Sequence, residues 1–374
     1  MSLKKGFWII AVICFIAAFL TAGCINGIFA DLSPEYPSIP VDSGPSEYIS
    51  VTNSFLFQDS KITITIPVDK KVYLSAYSSD KYAYFYEEQL PGNSWSDEYY
   101  NSFVNDPQLN PLYTSVIGEL RNIREEMNLD SDEYAELIFT YVQSIPYHTN
   151  EIRTEPKFPV EMVYENSGDC DDKAIFASGI LFREGYDVVL FEFEEEEHMA
   201  VGIKSTDCGY MDTEYAFVEV TDVNYVSWPT EKLDGDKPLE SVPYVIKVGN
   251  GTYGYESCDE VSYIYSALNK IEEKVSESES LIDSKKIKSE SLYEEISLLD
   301  DKMSRLKAGG KINEYNALVS SYNEKIRVYN STFDEIEKLI AQHNNYIKLY
   351  NYIIDHKYDR KGVFENIKNS GISN

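Results

Sequence analysis

Apolar and polar residues alternate over short stretches in the first part of the chain. Three isoleucines follow one face of the segment 61–67, two residues apart: Ile62, Ile64 and Ile66. This two-residue period is typical of a half-buried β-strand. The aromatic and β-branched content of 72–77 and 82–86 predicts two further strands. We therefore expect a small β unit over residues 51–107.

A helical period follows. Pro111 opens a stretch with apolar residues every three or four positions through Met127, and proline is favoured in the first turn of a helix. Asp130 followed by Glu133 is the capping-box pattern of a second helix. A third helix is predicted over 171–185. Four strand-like segments follow it, at 187–193, 198–203, 215–221 and 244–248. The expected fold class of this region is α+β.

From Tyr263 onward the apolar period becomes seven. Apolar, small or occasional polar residues step by four and three from Ile264 to Leu306, and the same pattern runs from Ile312 to Ile354. Such a repeat marks the seam of a coiled coil. The glycine pair at 309–310 separates the two halves, so we expect an antiparallel helical hairpin whose arms reach about 65 Å.

Folding the chain back at Gly309 pairs seam positions that are equally distant from the turn. This register places bulk opposite small or polar residues in three places: Tyr329 opposite Ser289, Phe333 opposite Lys285, and Ile340 opposite Ser278. His343 then faces Val275, which predicts a buried or edge histidine rather than a metal ligand.

The N-terminus has the pattern of an export signal. Lys4 and Lys5 precede an uncharged apolar run over 7–22, and Cys24 follows small residues. The pattern resembles a lipoprotein signal, in which Cys24 would carry a lipid; an uncleaved membrane anchor is the alternative. In both cases the remaining chain is expected on the outer face of the cell membrane, with the proline- and serine-rich segment 25–50 as an extended tether.

The composition and the motifs exclude several classes of binding partner and cofactor. The formal net charge is -30, which opposes binding to nucleic acid or to anionic lipid surfaces. A hydrophobic content of 43% is too high for a wholly disordered chain. The sequence contains no phosphate-binding loop, zinc-spaced cluster or dinucleotide fingerprint, so we expect no cofactor and no metal.

The chain is too long for one typical domain. The signals above divide it into six segments: an anchor or signal peptide at 1–24, the tether at 25–50, the β unit at 51–107, a mixed domain at 108–256, the hairpin at 257–358, and a tail at 359–374.

Three of the five cysteines lie after the signal: Cys170, Cys208 and Cys258. In an exported chain Cys208 and Cys258 are able to pair and leave Cys170 free, although spacing does not decide the connectivity.

Cys170 is the candidate nucleophile. It follows Gly168-Asp169 and begins the helix predicted over 171–185, where the helix dipole stabilises a thiolate. The neighbouring aspartates oppose this effect, so a cationic partner is required. His198, at the start of a predicted strand, is the candidate, and the small residues Ala200 and Gly202 on its face are expected to leave room for a substrate.

An acid is expected beside the histidine. If the strand that starts at His198 pairs with the next strand around a loop centred at 208–209, His198 lies directly across from Glu219. A carboxylate there would hold the imidazole in its useful tautomer. Asp222 is the second choice.

These residues resemble the transglutaminase-like superfamily of papain-type thiol enzymes over about residues 108–248. The matching segments are Gly168-Asp169-Cys170 with Asp172 and Lys173, His198 to Val201, Glu219-Val220-Thr221, and the upstream Pro159-Val160-Glu161. The family more often has aspartate and proline in the third segment, so Glu219 is a departure from its pattern.

The resemblance implies a papain-like core, with the cysteine helix packed on an antiparallel sheet, and a Cys-His-acid triad. Cys170 would attack an amide, His198 would transfer the proton, and Glu219 would orient the imidazole. The Cys170 N–H, Gln143 and Asn166 are candidate oxyanion donors. Water as acceptor gives a peptidase or amidase, and a lysine amine gives a protein cross-link. A non-catalytic surface protein that binds a protein partner through its hairpin is the alternative.

Overall fold

The computed structural model describes residues 33–41, 44–85, 94–149, 153–230, 232–233 and 237–372. The predicted signal and Cys24 lie outside these residues. The chain forms two compact units. The first contains residues up to Phe55, Lys61–Val223 and Pro229–Tyr255; the second contains Leu56–Ser60, Asn224–Trp228 and Glu256–Asn374. No helix among the described residues combines the length and apolar character of a membrane span.

Strands β1 (Tyr48–Phe57) and β2 (Ser60–Asp69) form a two-stranded sheet. The alternation predicted in β2 is confirmed, because Ile64 and Ile66 are fully buried while the intervening Thr65 is exposed. On the exposed face Thr65 Oγ1 lies 2.9 Å from the Thr52 hydroxyl, a cross-strand hydrogen bond.

The strand predicted at 72–77 is wrong, because this segment is helix α1 (Lys70–Ser78). The Asp69 side chain accepts a hydrogen bond from the Lys71 N–H at 2.9 Å and caps the helix. Val72 and Ala76, four residues apart, form its buried face. The aromatic content of the segment was therefore a weaker signal than its cap.

The third strand predicted at 82–86 is also not formed in its described part. Tyr84 instead makes an isolated antiparallel bridge with Glu35. Ile39 is only 4% exposed, and its N–H donates to Asp106 Oδ2 at 2.8 Å. The described part of the proline- and serine-rich segment thus packs within the first unit. The predicted extended tether over 25–50 is therefore wrong for these residues.

Five helices follow in the first unit, and a 3-10 turn (Pro107–Leu109) lies among them: α2 (Ser94–Asn105), α3 (Asn110–Met127), α4 (Ser131–Gln143), α5 (Pro159–Glu165) and α6 (Cys170–Arg183). The sequence pattern did not predict α2. In α4 the predicted capping box is confirmed, since Asp130 Oδ1 accepts from the Glu133 N–H and Glu133 Oε2 accepts from the Asp130 N–H.

A four-stranded antiparallel sheet lies against α6, in the order β5-β4-β3-β8. Its strands match the four predicted segments: β3 (Val188–Phe193), β4 (His198–Lys204), β5 (Tyr215–Val218) and β8 (Tyr244–Lys247). Two short strands, β6 (Lys232–Leu233) and β7 (Lys237–Pro238), form a separate ladder. Residues 172–181 of α6 are buried without exception. The first unit is therefore α+β, with a buried helix on an antiparallel sheet.

In the second unit, α7 (Cys258–Ala308) and α8 (Ile312–Asp355) form the predicted antiparallel hairpin, and α9 (Arg360–Ser370) packs at the end far from the turn. The core at that end contains Ile264, Ile271, Ile353, Val363 and Ile367, all essentially inaccessible. Gly310 adopts a positive φ of 71° at the turn, a conformation that favours glycine.

The seam prediction is confirmed for α7 and partly wrong for α8. Every predicted seam position of α7 is buried or half-buried. In α8, however, Thr332 is 5% exposed while the predicted Phe333 is 49% exposed, and Ile340 is 38% exposed beside the half-buried Leu339. Adjacent apolar residues in α8 fit either phase of the heptad, so only packing against α7 selects one.

The side-chain pairs across the hairpin seam differ from the predicted ones, because α8 packs in the other phase of the heptad. Ser278 does not meet Ile340; its hydroxyl lies 2.9 Å from His343 Nδ1. The Lys285 ammonium pairs with Glu335 rather than covering Phe333. The Tyr329 ring lies 6.2 Å from Tyr293. His343 is half-buried at the seam, as predicted for an edge histidine, and the Ser278 hydroxyl that meets its ring also donates to the Val275 carbonyl.

Gly202 gives a test of the packing in the first unit. A methyl group at this position of β4 would lie 2.5 Å from Val189 Cγ2 and 2.8 Å from the Phe191 ring. We expect Gly202→Ala to lower the free energy of unfolding by about 1–3 kcal/mol, because the core cannot absorb the added volume. Equilibrium urea unfolding measures the change.

Gly118→Ala is the matched control. Gly118 lies in α3 with no neighbouring atom within 4 Å of an added methyl. The same substitution there should raise the free energy of unfolding by about 0.5–1 kcal/mol. A Gly202→Ala protein as stable as Gly118→Ala would contradict the packing described for β3 and β4.

Candidate active site

Cys170 is the first residue of α6, and the preceding turn is built to start that helix. Asp169 Oδ1 accepts from the Asp172 N–H at 3.3 Å, and Asp172 Oδ2 accepts from the Asp169 N–H at 3.2 Å. Gly168 packs too closely for a side chain, since an added Cβ would lie 2.8 Å from both Asp172 and Met162. The Gly-Asp-Cys segment is therefore a tightly packed cap that presents the cysteine at the helix N-terminus.

The sulfur of Cys170 lies beside the start of β4. A backbone hydrogen bond from Met199, the residue after His198, acts to lower the pKa of the Cys170 thiol. The thiol also donates to Asp171 Oδ1 at 3.4 Å. Cys170 is 8% exposed, so the sulfur is largely shielded from water.

His198 and Glu219 form a buried pair. His198 Nε2 lies 3.0 Å from Glu219 Oε2, and the two residues are 9% and 7% exposed. Because an ionised carboxylate only accepts hydrogen bonds, the proton of the neutral imidazole lies on Nε2. The lone pair then lies on Nδ1, which leaves that nitrogen as the base.

The second carboxylate oxygen of Glu219 is also held by hydrogen bonds. Oε1 accepts from the backbone N–H groups of Val220 and Thr221, both at 2.9 Å, and from the Thr221 hydroxyl at 2.7 Å. Burial acts to raise the pKa of Glu219, but the hydrogen bond and charge of His198 and the bonds from Thr221 outweigh it, so the pKa lies below its ordinary value. Glu219 is therefore held as an anion in a buried position.

The predicted register of the β4–β5 hairpin is wrong by two residues. Val201 pairs with Val218, and β5 ends there, so Glu219 lies beyond the ladder and not directly across from His198. The contact survives because an offset of two keeps Glu219 on the same face as the predicted position. Asp222 is exposed, and its Oδ1 accepts from the Val223 N–H.

The electrostatics at the sulfur oppose a resting thiolate. Burial and the carboxylates of Asp171 and Asp169 raise the pKa of the Cys170 thiol well above its usual range. Burial and Asp169 also raise the pKa of Asp171 to about 7. The helix dipole expected to activate the cysteine is thus outweighed by burial of the thiol and by two neighbouring acids.

The face that His198 shares with Ala200 and Gly202 offers no space for a substrate, contrary to expectation. Ala200 is fully buried, and Val189 and Phe191 fill the volume next to Gly202. The ring of Phe193, the register partner of His198, lies 6.2 Å from the imidazole. An aromatic cluster therefore supports the histidine from this side.

Neither predicted side-chain oxyanion donor is placed for that role. Gln143 Nε2 donates to the Glu219 carbonyl at 2.7 Å. Asn166 ends α5 in the left-handed conformation with a φ of 50°, and its side-chain oxygen accepts from Asn53. Gln143 instead supports the backbone of the acid, a role that no pattern in the sequence indicated.

Lys173 is a second residue whose role the sequence did not reveal. It is fully buried, and its ammonium donates to the carbonyls of Gln143 at 3.1 Å, Ile145 at 2.8 Å and Thr221 at 3.2 Å. In the sequence Lys173 is only one residue of the segment from Gly168 that carries the family resemblance, and nothing there indicates these contacts.

Cys208 and Cys258 are both disulfide-bonded, and Cys170 is the free cysteine among the described residues. The described part of the chain contains no cluster of three or more histidine, cysteine or acidic side chains arranged to hold a metal ion.

Comparison with known proteins returns no match: no family model, no curated protein and no solved structure is similar to this chain.

The acids beside the sulfur give a testable consequence. Asp171→Asn should raise the rate of Cys170 alkylation by iodoacetamide about tenfold above pH 7, because it removes a negative charge that opposes the thiolate. Below about pH 7 the two rates should converge, since Asp171 is protonated there in the wild-type protein. Peptide-level mass spectrometry reports the modification at Cys170.

Asp207→Asn is the control, because Asp207 is an exposed acid outside this cluster. In Asp207→Asn the rate of Cys170 alkylation should equal that of the wild type at every pH. A similar acceleration in both variants would show that net charge, and not the local carboxylate, governs the thiol.

Proposed function

We propose that this protein is an extracytoplasmic cysteine hydrolase of the transglutaminase-like type that cleaves peptide or side-chain amides. One observation carries the proposal: the buried His198–Glu219 pair at 3.0 Å, in which His198 directly precedes Met199, the residue whose backbone hydrogen bond acts to lower the pKa of the Cys170 thiol. A buried imidazole oriented by a carboxylate, next to a thiol at a helix N-terminus, is the arrangement that nucleophilic acyl transfer requires.

The acylation step follows from the protonation states. The Cys170 thiol is neutral at rest, so its sulfur attacks the amide carbonyl while the thiol proton moves to Nδ1 of His198. The Glu219 carboxylate stabilises the imidazolium that forms. The carbonyl oxygen becomes an oxyanion near the helix N-terminus, where the Cys170 N–H is available as a donor.

The intermediate then collapses. The carbon–nitrogen bond breaks, the leaving amine takes the proton from His198, and a thioester remains on Cys170. In the second half-reaction water attacks the thioester, its proton passes to His198, and the thiol is released with the carboxylic acid product.

A primary amine in place of water would turn the same thioester into an amide, which is the cross-linking alternative. The raised pKa of the thiol favours a further candidate, a catalytically inactive member in which the helical hairpin binds a protein partner. In each case we infer that the N-terminal segment holds the protein at the outer face of the cell membrane.

Purified protein lacking residues 1–24, incubated with cell-surface proteins, tests the proposal. New N-termini, or conversion of glutamine to glutamate, would identify the hydrolase, and incorporation of a fluorescent primary amine faster than hydrolysis would identify the cross-linker. Cys170→Ala and His198→Ala should each reduce the rate by about 10³-fold or more, and Glu219→Gln by about 10²–10⁴-fold.

Asp222→Asn is the matched control for Glu219→Gln, since Asp222 is an exposed acid three residues further along the chain. It should leave the rate within about twofold of wild type, as expected for a surface charge. Absence of any Cys170-dependent reaction in folded protein would leave the inactive, partner-binding alternative.

A further inference from the structure

The position of Glu219 depends on contacts outside the sheet. The last residue pair of the β4–β5 ladder toward this end is Val201 with Val218, so no ladder hydrogen bond fixes residues 219–221. The Glu219 carboxylate nevertheless has to stay within 3.0 Å of His198 Nε2. Another part of the fold must hold this segment.

Two buried side chains hold the segment by its backbone carbonyls. Gln143, the last residue of α4, donates from Nε2 to the Glu219 carbonyl at 2.7 Å. Lys173 donates to the Thr221 carbonyl at 3.2 Å. We call Gln143 and Lys173 the carbonyl clamp.

The Lys173 ammonium also ties the clamp to the end of α4. Its other two donors reach the carbonyls of Gln143 and Ile145, so its three N–H groups have three acceptors. Lys173 lies three residues after Cys170 on α6. One cation thus joins the cysteine helix, the end of α4 and the segment that carries the acid.

Thr221 links the clamp to the carboxylate. The Thr221 N–H and hydroxyl both donate to Glu219 Oε1, at 2.9 and 2.7 Å, so the location of Thr221 decides where Oε2 lies. A shift of about 1 Å at a catalytic group can cost about 10²-fold in rate.

We propose that Lys173 is a positioning residue, which keeps Glu219 in hydrogen-bonding reach of His198 by holding the Thr221 carbonyl. The kinetic consequence rests on the proposed function. The positioning itself is a property of the fold and is measurable without turnover.

The protonation state of Lys173 limits the pH range in which the clamp has all its hydrogen bonds. Burial lowers the pKa of Lys173 to about 8, and the negative charges of Glu219 and Asp222 act in the opposite direction. The charged amine donates three hydrogen bonds and the neutral amine two. The clamp is therefore complete below about pH 8 and loses one bond above it.

Lys173→Met and Lys173→Arg test the proposal. Methionine removes the charge and the donors with a similar length, and arginine keeps both. We expect kcat to fall about 10²-fold in Lys173→Met, with KM nearly unchanged, and to recover partly in Lys173→Arg. The ring 15N shifts of His198, assigned by their loss in His198→Ala, should move in Lys173→Met toward their values in Glu219→Gln.

Lys81→Met is the matched control. Lys81 is a largely buried lysine whose ammonium binds both carboxylate oxygens of Glu161, at 2.8 and 2.6 Å, and not the carbonyls that Lys173 holds. It should lower stability without moving the His198 shifts. If His198 shifts in Lys173→Met match those in wild type and Lys81→Met, Lys173 has no positioning role.

If Lys173→Met does not fold, a titration of the wild type and Lys173→Arg decides the question. The His198 shifts should change near pH 8 in the wild type and stay constant through that pH in Lys173→Arg; identical titrations would overturn the proposal. Absence of Cys170-dependent turnover, with His198 shifts that still respond to Lys173, would reject the hydrolase and keep the positioning role.

Discussion

The burial of the Glu219 carboxylate is the constraint on which the candidate site depends. A carboxylate that is only 7% exposed loses most of its hydration, and an unpaired charge there would cost several kcal/mol. The fold offsets this cost with donors from Val220, Thr221 and His198. Each of these bonds also restricts the position of the carboxylate, so the solvation of the charge and the orientation of the imidazole are one requirement.

The surroundings of Cys170, unlike those of Glu219, oppose ionisation of the side chain. Burial and the acidic neighbours Asp171 and Asp169 keep the thiol protonated, while the helix N-terminus favours the thiolate. A protonated thiol is a poor target for oxidants and alkylating agents. In the hydrolase proposed above, activation would come from proton transfer to His198 during attack, which would make the orientation supplied by Glu219 more important than it is for a preformed thiolate.

In the helical hairpin, packing decides the phase of the heptad in α8. The doublets Leu339-Ile340 and Ile353-Ile354 of α8 allow two phases of the heptad, and the opposing arm selects one. In the selected phase Ser278 meets His343, and each satisfies a polar atom of the other at the seam. A single polar pair of this kind specifies the register of a coiled coil at some cost in stability.

Local signals in the sequence determined the elements with strong periodicity or caps: α3 with Pro111, α4 with its capping box, the strands of the four-stranded sheet, and the α7 seam. They also selected Cys170, His198 and Glu219 as candidate site residues by residue type and face, and the predicted contact of His198 with Glu219 forms because the two-residue period of a strand survives an error of two in register. The Asp69 cap of the helix at 70–78 is also a local signal, although the aromatic content of the segment predicts a strand there. The tertiary structure alone decided the phase of α8 and the carbonyl clamp of Gln143 and Lys173. These depend on contacts between residues distant in sequence, and periodicity along one segment carries no information about which distant carbonyl a buried ammonium will meet.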